Sequence, residues 1–212
     1  FMVIIQIILP RVLSFLSVIF IHNVATNNGI LFKGVWPQNW PIVTQVILMI
    51  LIADFFRYWL HRAAHKYNFL WRLHAVHHSP HGLYWFNVGR FHPLDKVLQF
   101  FCDALPFILV GVKQEVLALY FVFYAVNGFF QHCNIDLKLG ILNYIISGPE
   151  LHHWHHSRVV NESNKNLGNN IIIWDLLFGT WFLPKTKEVG VLGLKNRHYP
   201  EGFFSQLKTP FI

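Results

Sequence analysis

The sequence predicts an all-α integral membrane protein: one domain over 1–212, a bundle of about four membrane helices with a cytosolic helical cap. Three observations carry that expectation. Apolar side chains make up 54% of the 212 residues and charged ones only 13%, too little polar surface for a soluble domain of this size. The apolar residues gather in four runs, 1–21, 42–60, 97–111 and 116–131, on the scale of membrane spans. The polar stretches between and after those runs carry histidines at helical spacing.

The first run could pass for a signal peptide, but it lacks a basic n-region and a small-residue cleavage site, so a first membrane helix is expected, interrupted at Pro10 and Arg11. The chain opens abruptly inside this run, as a truncated N-terminus would. The second run, IVTQVILMILIADFFRYWL, is the clearest span, near the ~20 residues that a bilayer needs. The third and fourth are shorter, and each suits a tilted, thin span or one arm of a re-entrant hairpin. Their short link makes them an antiparallel pair. A hairpin brings the chain back to its starting side, so 61–96 and 132–212 share one membrane face. Arg62, Lys66, Arg72, Arg90 and Lys96 lie in the first of these segments, against Lys33 alone in 22–41; the positive-inside rule therefore puts both in the cytoplasm. In the tail, NLGNNIIIWDLLFGTWFLP is too short to span and reads as a short helix lying on the core, and KTKEVGVLGLKNRHYPEGF reads as loop.

The formal charge of +7 fits a face turned to anionic lipid better than a nucleic-acid partner, because no basic run accompanies it. Cys102 and Cys133 have neither disulfide-framework nor zinc-site spacing and read as apolar fillers in a reducing compartment.

Fourteen histidines is far above ordinary usage, and eight of them form three boxes: HRAAH at 61–65, HAVHH at 74–78 and HHWHH at 152–156. His61 and His65 stand at i and i+4. His74, His77 and His78 stand at i, i+3 and i+4, and His152, His155 and His156 repeat that pattern. On a helix these positions share a face, so each box turns two or three imidazoles toward one point. A lone histidine is more often a surface residue or a satisfied core group; three boxes on one membrane side point to metal. An expression tag is excluded by the interspersed Trp, Arg and apolar residues. His132, where the fourth run returns to the cytoplasm, is a candidate ninth ligand. His153 points about 100° off the ligand face of its box and is assigned to the surrounding layer or the surface. His92, before Pro93, caps the third run; His81 lines an access route; His22 and His198 are structural.

Asp54 is an acid inside an apolar helix, a costly placement. Asp54, Tyr58, His61 and His65 form one stripe, so Asp54 either accepts a hydrogen bond from a ligand imidazole or pairs with Arg57 or Arg62. Asn166, Asn169 and Asn170 are candidate supports near the third box.

One ion cannot use eight or nine imidazoles, so two ions are expected. Imidazole suits iron, copper, zinc and nickel, and raw affinity lets zinc replace the working metal in a purified sample. Nitrogen-rich, carboxylate-poor ligation at a membrane surface favours two Fe2+ ions with O2 as co-substrate. A membrane zinc-dependent hydrolase is the first alternative; it needs a general base, and Glu150 and Glu162 flank the third box without forming H-E-x-x-H. A non-catalytic metal-handling membrane protein is the second; it would set histidines midway through spans, whereas these lie at span ends and in the cap.

HRAAH, HAVHHS and HHWHHS, followed by NKNLGNNIIIWDLLFGTWF and YPEGF, resemble the fatty acid hydroxylase/sterol desaturase superfamily of integral membrane enzymes. The likeness runs from about Asp54 to Phe204, and the Trp-Asp-x-x-Phe-Gly-Thr stretch at 174–180 strengthens it. It is nearest to bacterial sterol desaturase family proteins, which implies a bacterial inner membrane. The resemblance further implies a di-iron centre with ligands His61, His65, His74, His77, His78, His152, His155 and His156, and His132 sits where other members place a further histidine. Gly128 occupies the position, four residues earlier, at which some fatty acid 2-hydroxylases carry another. The implied activity is O2-dependent hydroxylation or desaturation of an unactivated C–H position in a membrane lipid such as a sterol or fatty acyl chain. Trp59, Phe86, Phe123 and Trp154 are candidates to line the lipid pocket. The sequence holds no haem motif, Rossmann fingerprint or cysteine cluster, so electrons are expected from a separate ferredoxin or cytochrome b5-like donor.

Overall fold

Helix α2, Ile42–Lys66, is the post around which the chain is built. In the structure, a computed structural model describing residues 9–212, it follows α1 (Leu9–Asn27) and is followed by α3 (Asn68–His78), α4 (Pro93–Asp103), α5 (Leu105–Leu109) and α6 (Gln114–Gln131). Short helices complete the cap: α7 (Pro149–His155), α8 (Val160–Ser163), α9 (Ile173–Phe178) and α10 (Phe203–Lys208). The described residues form no strand beyond two isolated bridges, Ile146 with Ile171 and Ser157 with Leu192. The all-helical expectation holds.

At 1.5 Å per residue, α2 is roughly 37 Å long, enough to cross a hydrocarbon core of about 30 Å. It is the only described helix both long and apolar enough to do so, and only 33% of its most apolar window is buried. Ile42, Val43, Ile47, Leu51, Phe56 and Trp59 stand exposed along it, where the core helix of a soluble protein would bury such side chains. The first apolar run is described only from Leu9, and residues 1–8 lie outside the described residues. The third run is not one helix. It breaks at Ala104, and Pro106 falls in the first turn of α5, because proline cannot donate to the helical ladder. The fourth run is the single helix α6, entered through Gly111 at φ +76° and capped by Lys113.

The interior has two chemistries. Toward the Trp36 end it is apolar: Val18 and Ala25 of α1, Met49 and Ala53 of α2, Phe107 and Ile108 of α5, and Val116, Leu117 and Tyr120 of α6 pack together. Toward the other end of α2 and α6 the buried residues turn polar, and His74, His77, His78, His132, His152, His155 and His156 are all buried. One extended residue, Tyr67 (φ −101°, ψ 125°), turns the chain from α2 into α3, so the first two boxes face each other. Pro149 opens α7 and places the third box against them. The tail follows expectation: α9 is the short helix within 167–184, and 185–202 is irregular.

Candidate metal centre

Nine imidazoles from four elements meet at one end of the bundle, in two groups. His61 and His65 of α2, His74 and His78 of α3 and His155 of α7 form the first; His77 of α3, His132 at the end of α6, and His152 and His156 of the third box form the second. Within each group one ring nitrogen per residue lies within 4.8 Å of all the others. The groups abut: the rings of His78 and His156 stack with centroids 4.4 Å apart, and His155 meets His156 at 5.4 Å. Helical spacing thus divides the second box between both groups, His74 and His78 to one and His77 to the other. Among the described residues no carboxylate or thiol joins either group.

The outward nitrogens fix the tautomers. His61 Nδ1 donates to the Leu167 carbonyl at 2.7 Å, His74 Nδ1 to Asp95 Oδ2 at 2.9 Å and His155 Nδ1 to the Lys165 carbonyl at 3.0 Å. His65 Nδ1 bonds Asn164 Oδ1 at 3.1 Å, and His132 Nδ1 donates to the Gly128 carbonyl at 2.8 Å. A neutral imidazole protonated at Nδ1 has a lone pair at Nε2. The Nε2 atoms of His61 and His74 nevertheless face each other at 3.0 Å. The Nε2 atoms of His132 and His152, and of His152 and His156, also approach to 3.1 Å, although no outward acceptor fixes the tautomer of His152 or His156. The Nε2 atoms of His65, His78 and His155 are buried without a hydrogen-bond partner. Facing lone pairs repel unless a cation lies between them. At metal–nitrogen bonds of about 2.1 Å, ligands at right angles sit about 3 Å apart, so the donor set fits metal ions. The outward bonds are those that orient metal-bound imidazoles and raise their basicity.

Burial, followed by the mutual repulsion of neighbouring imidazoles, holds His77, His78, His152 and His156 well below the usual imidazole range, and His155 at about 3. The rings are therefore neutral at pH 7, the form that binds metal.

The supports differ in part from expectation. Among the described residues Asp54 contacts no imidazole and no arginine at salt-bridge distance. Its carboxylate accepts from the Asn170 backbone at 2.8 Å, Asn170 Nδ2 at 2.7 Å and the Ile171 backbone at 2.7 Å, because three nearby donors satisfy it better than a ring beyond its reach. It acts on the metal centre only through the 164–171 loop. Asn169 Oδ1 accepts from Arg57 Nη2 at 3.1 Å, not from a histidine. His153 is half-buried and belongs to neither group. His92 caps α4, accepting from the Leu94 backbone at 3.2 Å. His81 and His198 are exposed, and His22 is half-buried on α1. Glu150 is engaged by the Leu139 backbone and Asn143, and Glu162 by Ser157 and Lys187, so neither faces the imidazoles.

Asp95, Asn164 and Asp175 were not among the candidates. Asp175 holds the loop that supplies the acceptor carbonyls: it takes the Leu167 and Gly168 backbone N–H groups at 2.7 and 2.6 Å and the Thr180 hydroxyl at 2.6 Å. In that loop Asn166 adopts φ +53°, a conformation asparagine tolerates better than most residues, and its amide bonds Leu151 and both backbone groups of Phe182.

A cavity of about 50 Å³ opens beside the imidazoles, between α2, α4, α6 and the 168–170 turn. Rings of both groups form part of its wall, with Arg57, Gln99, Tyr124 and Gln131 opposite. None of the four expected aromatic residues lines it. Trp59 and Phe86 are exposed, and Trp154 is buried against Phe182.

Comparison with known proteins accords with this geometry. The fatty acid hydroxylase family model matches residues 46–180, a stretch that contains all nine histidines. The chain belongs to the fatty acid hydroxylase family. It is 40% identical over 176 residues to the ornithine lipid hydroxylase OlsE of Rhizobium tropici, covering 83% of this chain and 53% of that protein. It is 30% identical over 183 residues to the alkylglycerol monooxygenase of Homo sapiens, covering 85% and 38%. A very-long-chain aldehyde decarbonylase, GL1-8 of Oryza sativa subsp. indica, is 28% identical over 149 residues, covering 68% and 54%. The chain thus spans about half or less of the length of these relatives. No solved structure matches. In this fatty acid hydroxylase family chain a Cβ at 128 would lie 2.9 Å from Val88 Cγ2, so a side chain there would require Val88 to shift.

Proposed function

We propose that the chain is the catalytic domain of a membrane lipid oxygenase, an O2-dependent di-iron enzyme that hydroxylates or desaturates an unactivated C–H position. The observation that carries this reading is the pair of abutting histidine groups, five and four imidazoles, in which His61, His65, His74, His132 and His155 are bonded outward through Nδ1 and turn Nε2 inward. His61, His65, His74, His78 and His155 would hold one iron, and His77, His132, His152 and His156 the other. Two ferrous ions so held would supply O2 activation and C–H oxidation. The rest falls to the chain: orienting the ligands through Leu167, Lys165, Asn164 and Asp95, enclosing the reacting carbon in the cavity, and limiting water there. The relatives named as hydroxylase and monooxygenase support this chemistry, and the five-imidazole group exceeds the four ligands that tetrahedral zinc uses.

In this reading α1, α2 and the α4–α6 pair embed in the bilayer with the histidine end at the cytoplasmic side, and the lipid enters from the membrane. Two electrons come from a donor outside these 212 residues, a ferredoxin or a cytochrome b5-like protein. The test is anaerobic loading with ferrous iron, followed by 18O2, reductant and a lipid extract, read by mass spectrometry. The expected result is a lipid that gains one labelled oxygen or loses two hydrogens. Iron bound at two equivalents with every lipid unchanged would overturn the proposal.

A further inference from the structure

We infer that the cavity beside the histidine groups contains a subsite for an uncharged oxygen of a lipid head region, with Arg57 as its principal donor. This rests on the oxygenase reading and specifies which part of the lipid reaches the metals.

Arg57 lies on α2 one turn before His61, on the same face. It is 6% exposed in an apolar helix, where an arginine is costly and marks a function. One arm of its guanidinium is used: Nη2 donates to Asn169 Oδ1 at 3.1 Å. The other is held by charge alone: Nη1 is ion-paired with Asp103 Oδ2 at 3.5 Å but makes no hydrogen bond. The same wall includes Tyr124, whose hydroxyl accepts from Lys96 Nζ at 3.3 Å and so keeps its own proton to donate. Two donors therefore border a cavity of about 50 Å³ whose wall also includes His61, His74, His77, His132 and His152. A hydrocarbon tail in that space would leave Nη1 with its ion pair to Asp103 but no hydrogen bond, whereas a lipid oxygen would supply one.

The charges specify the acceptor. Asp103 already faces Arg57, and Asp95, bonded to His74, lines the cavity. Arg57 and Lys96 are thus offset by Asp103 and Asp95, and these side chains carry no net charge with which to select an anion. A hydroxyl, ether or ester carbonyl oxygen accepts the hydrogen bond without adding a charge. Because Arg57 and His61 are one helical turn apart and both line the cavity, an oxygen at Arg57 puts the carbon facing the imidazoles only a few bonds away. The oxidised position is therefore in or next to the polar end of the lipid, not in mid-chain.

The test uses the full chain in nanodiscs, loaded with zinc so that nothing turns over, and two probes of equal tail length, 1-O-hexadecylglycerol and hexadecane. Native mass spectrometry reads both binding and metal content. Arg57→Lys keeps the charge opposite Asp103 but removes the fork; with metal content intact, it should weaken the alkylglycerol about 10-fold, the scale of one charge-assisted hydrogen bond, and leave hexadecane unchanged. Tyr124→Phe, a milder change in case the first variant misfolds, should weaken the alkylglycerol several-fold. Equal binding of both probes by the wild type, or no selective loss in either variant, overturns the subsite. With iron, reductant and O2, oxidation within a few bonds of the glycerol supports it, and oxidation in mid-chain overturns it. If no lipid is oxidised but the variants still lose the alkylglycerol selectively, the oxygenase reading fails and the subsite stands.

Discussion

The nine imidazoles differ in what stands behind them. His61 and His155 lean on backbone carbonyls, His65 on an amide oxygen and His74 on the carboxylate of Asp95. Behind His74 stands a carboxylate charge, where His61, His65 and His155 have neutral oxygens. Asp95→Asn keeps an acceptor in place but removes the charge, so metal affinity should fall roughly 10–100-fold while the fold survives; competition against a graded chelator measures this. His155→Ala should remove metal from the first group, whereas His153→Ala should leave two equivalents bound, by elemental analysis. The grouping of the box imidazoles was legible because residues three and four apart on a helix share a face, a relation contained within five letters of sequence. Asp95 was not legible, since it meets His74 across 21 positions and nothing local to either residue announces the partner. Asp54 misled for the same reason: it shares a stripe with His61, but the donors that claim it arrive from the loop 116 positions away.

At the scale of elements, the segment 164–171 does for the centre what a second layer of helices does elsewhere. It has almost no regular structure, yet it supplies Asn164 Oδ1, Lys165 O and Leu167 O to three ligands, and it is anchored from behind by Asp175 and Asp54. Gly168 is required there, because a Cβ would lie 2.4 Å from the Ile171 carbonyl. Asp175→Ala strands two backbone N–H groups and the Thr180 hydroxyl, and should cost about 3 kcal/mol or more. Thermal unfolding should show that loss, and metal content should fall with it, since His61 and His155 lose their orientation. The motif around Asp175 was visible in the sequence as a string of letters; its purpose was not, because the carbonyls it positions carry no side-chain signature. The third apolar run shows the converse. Its hydropathy suggested one continuous segment, while Pro106 and the buried Asp103 end α4 and begin a new helix.

For the molecule as a whole, one end is apolar to the surface and the other packs imidazoles. Without metal, this should make stability depend on pH. The folded values of His77, His78, His152, His155 and His156 lie below the ordinary 6.5, so between those values the unfolded chain binds more protons. Stability is then full above pH 6.5 and is lost progressively as pH falls toward about 3, the value for His155. The metal-free protein should melt lower at pH 5 than at pH 7.5, and the metal-loaded protein should resist until acid displaces the ions. The division of the interior was legible from the apolar runs. The division of the imidazoles into five and four was not, because it depends on the single turn at Tyr67 and on how α7 docks.

The cavity also sets a rule of position. At about 50 Å³ it is closer to the size of a few methylene groups than to that of a lipid. It admits a tip, and the remainder of the molecule stays outside in the bilayer. Such a chamber works as a gauge, counting carbons inward from whichever end is inserted, so lipids differing only in tail length should yield the same regioisomer.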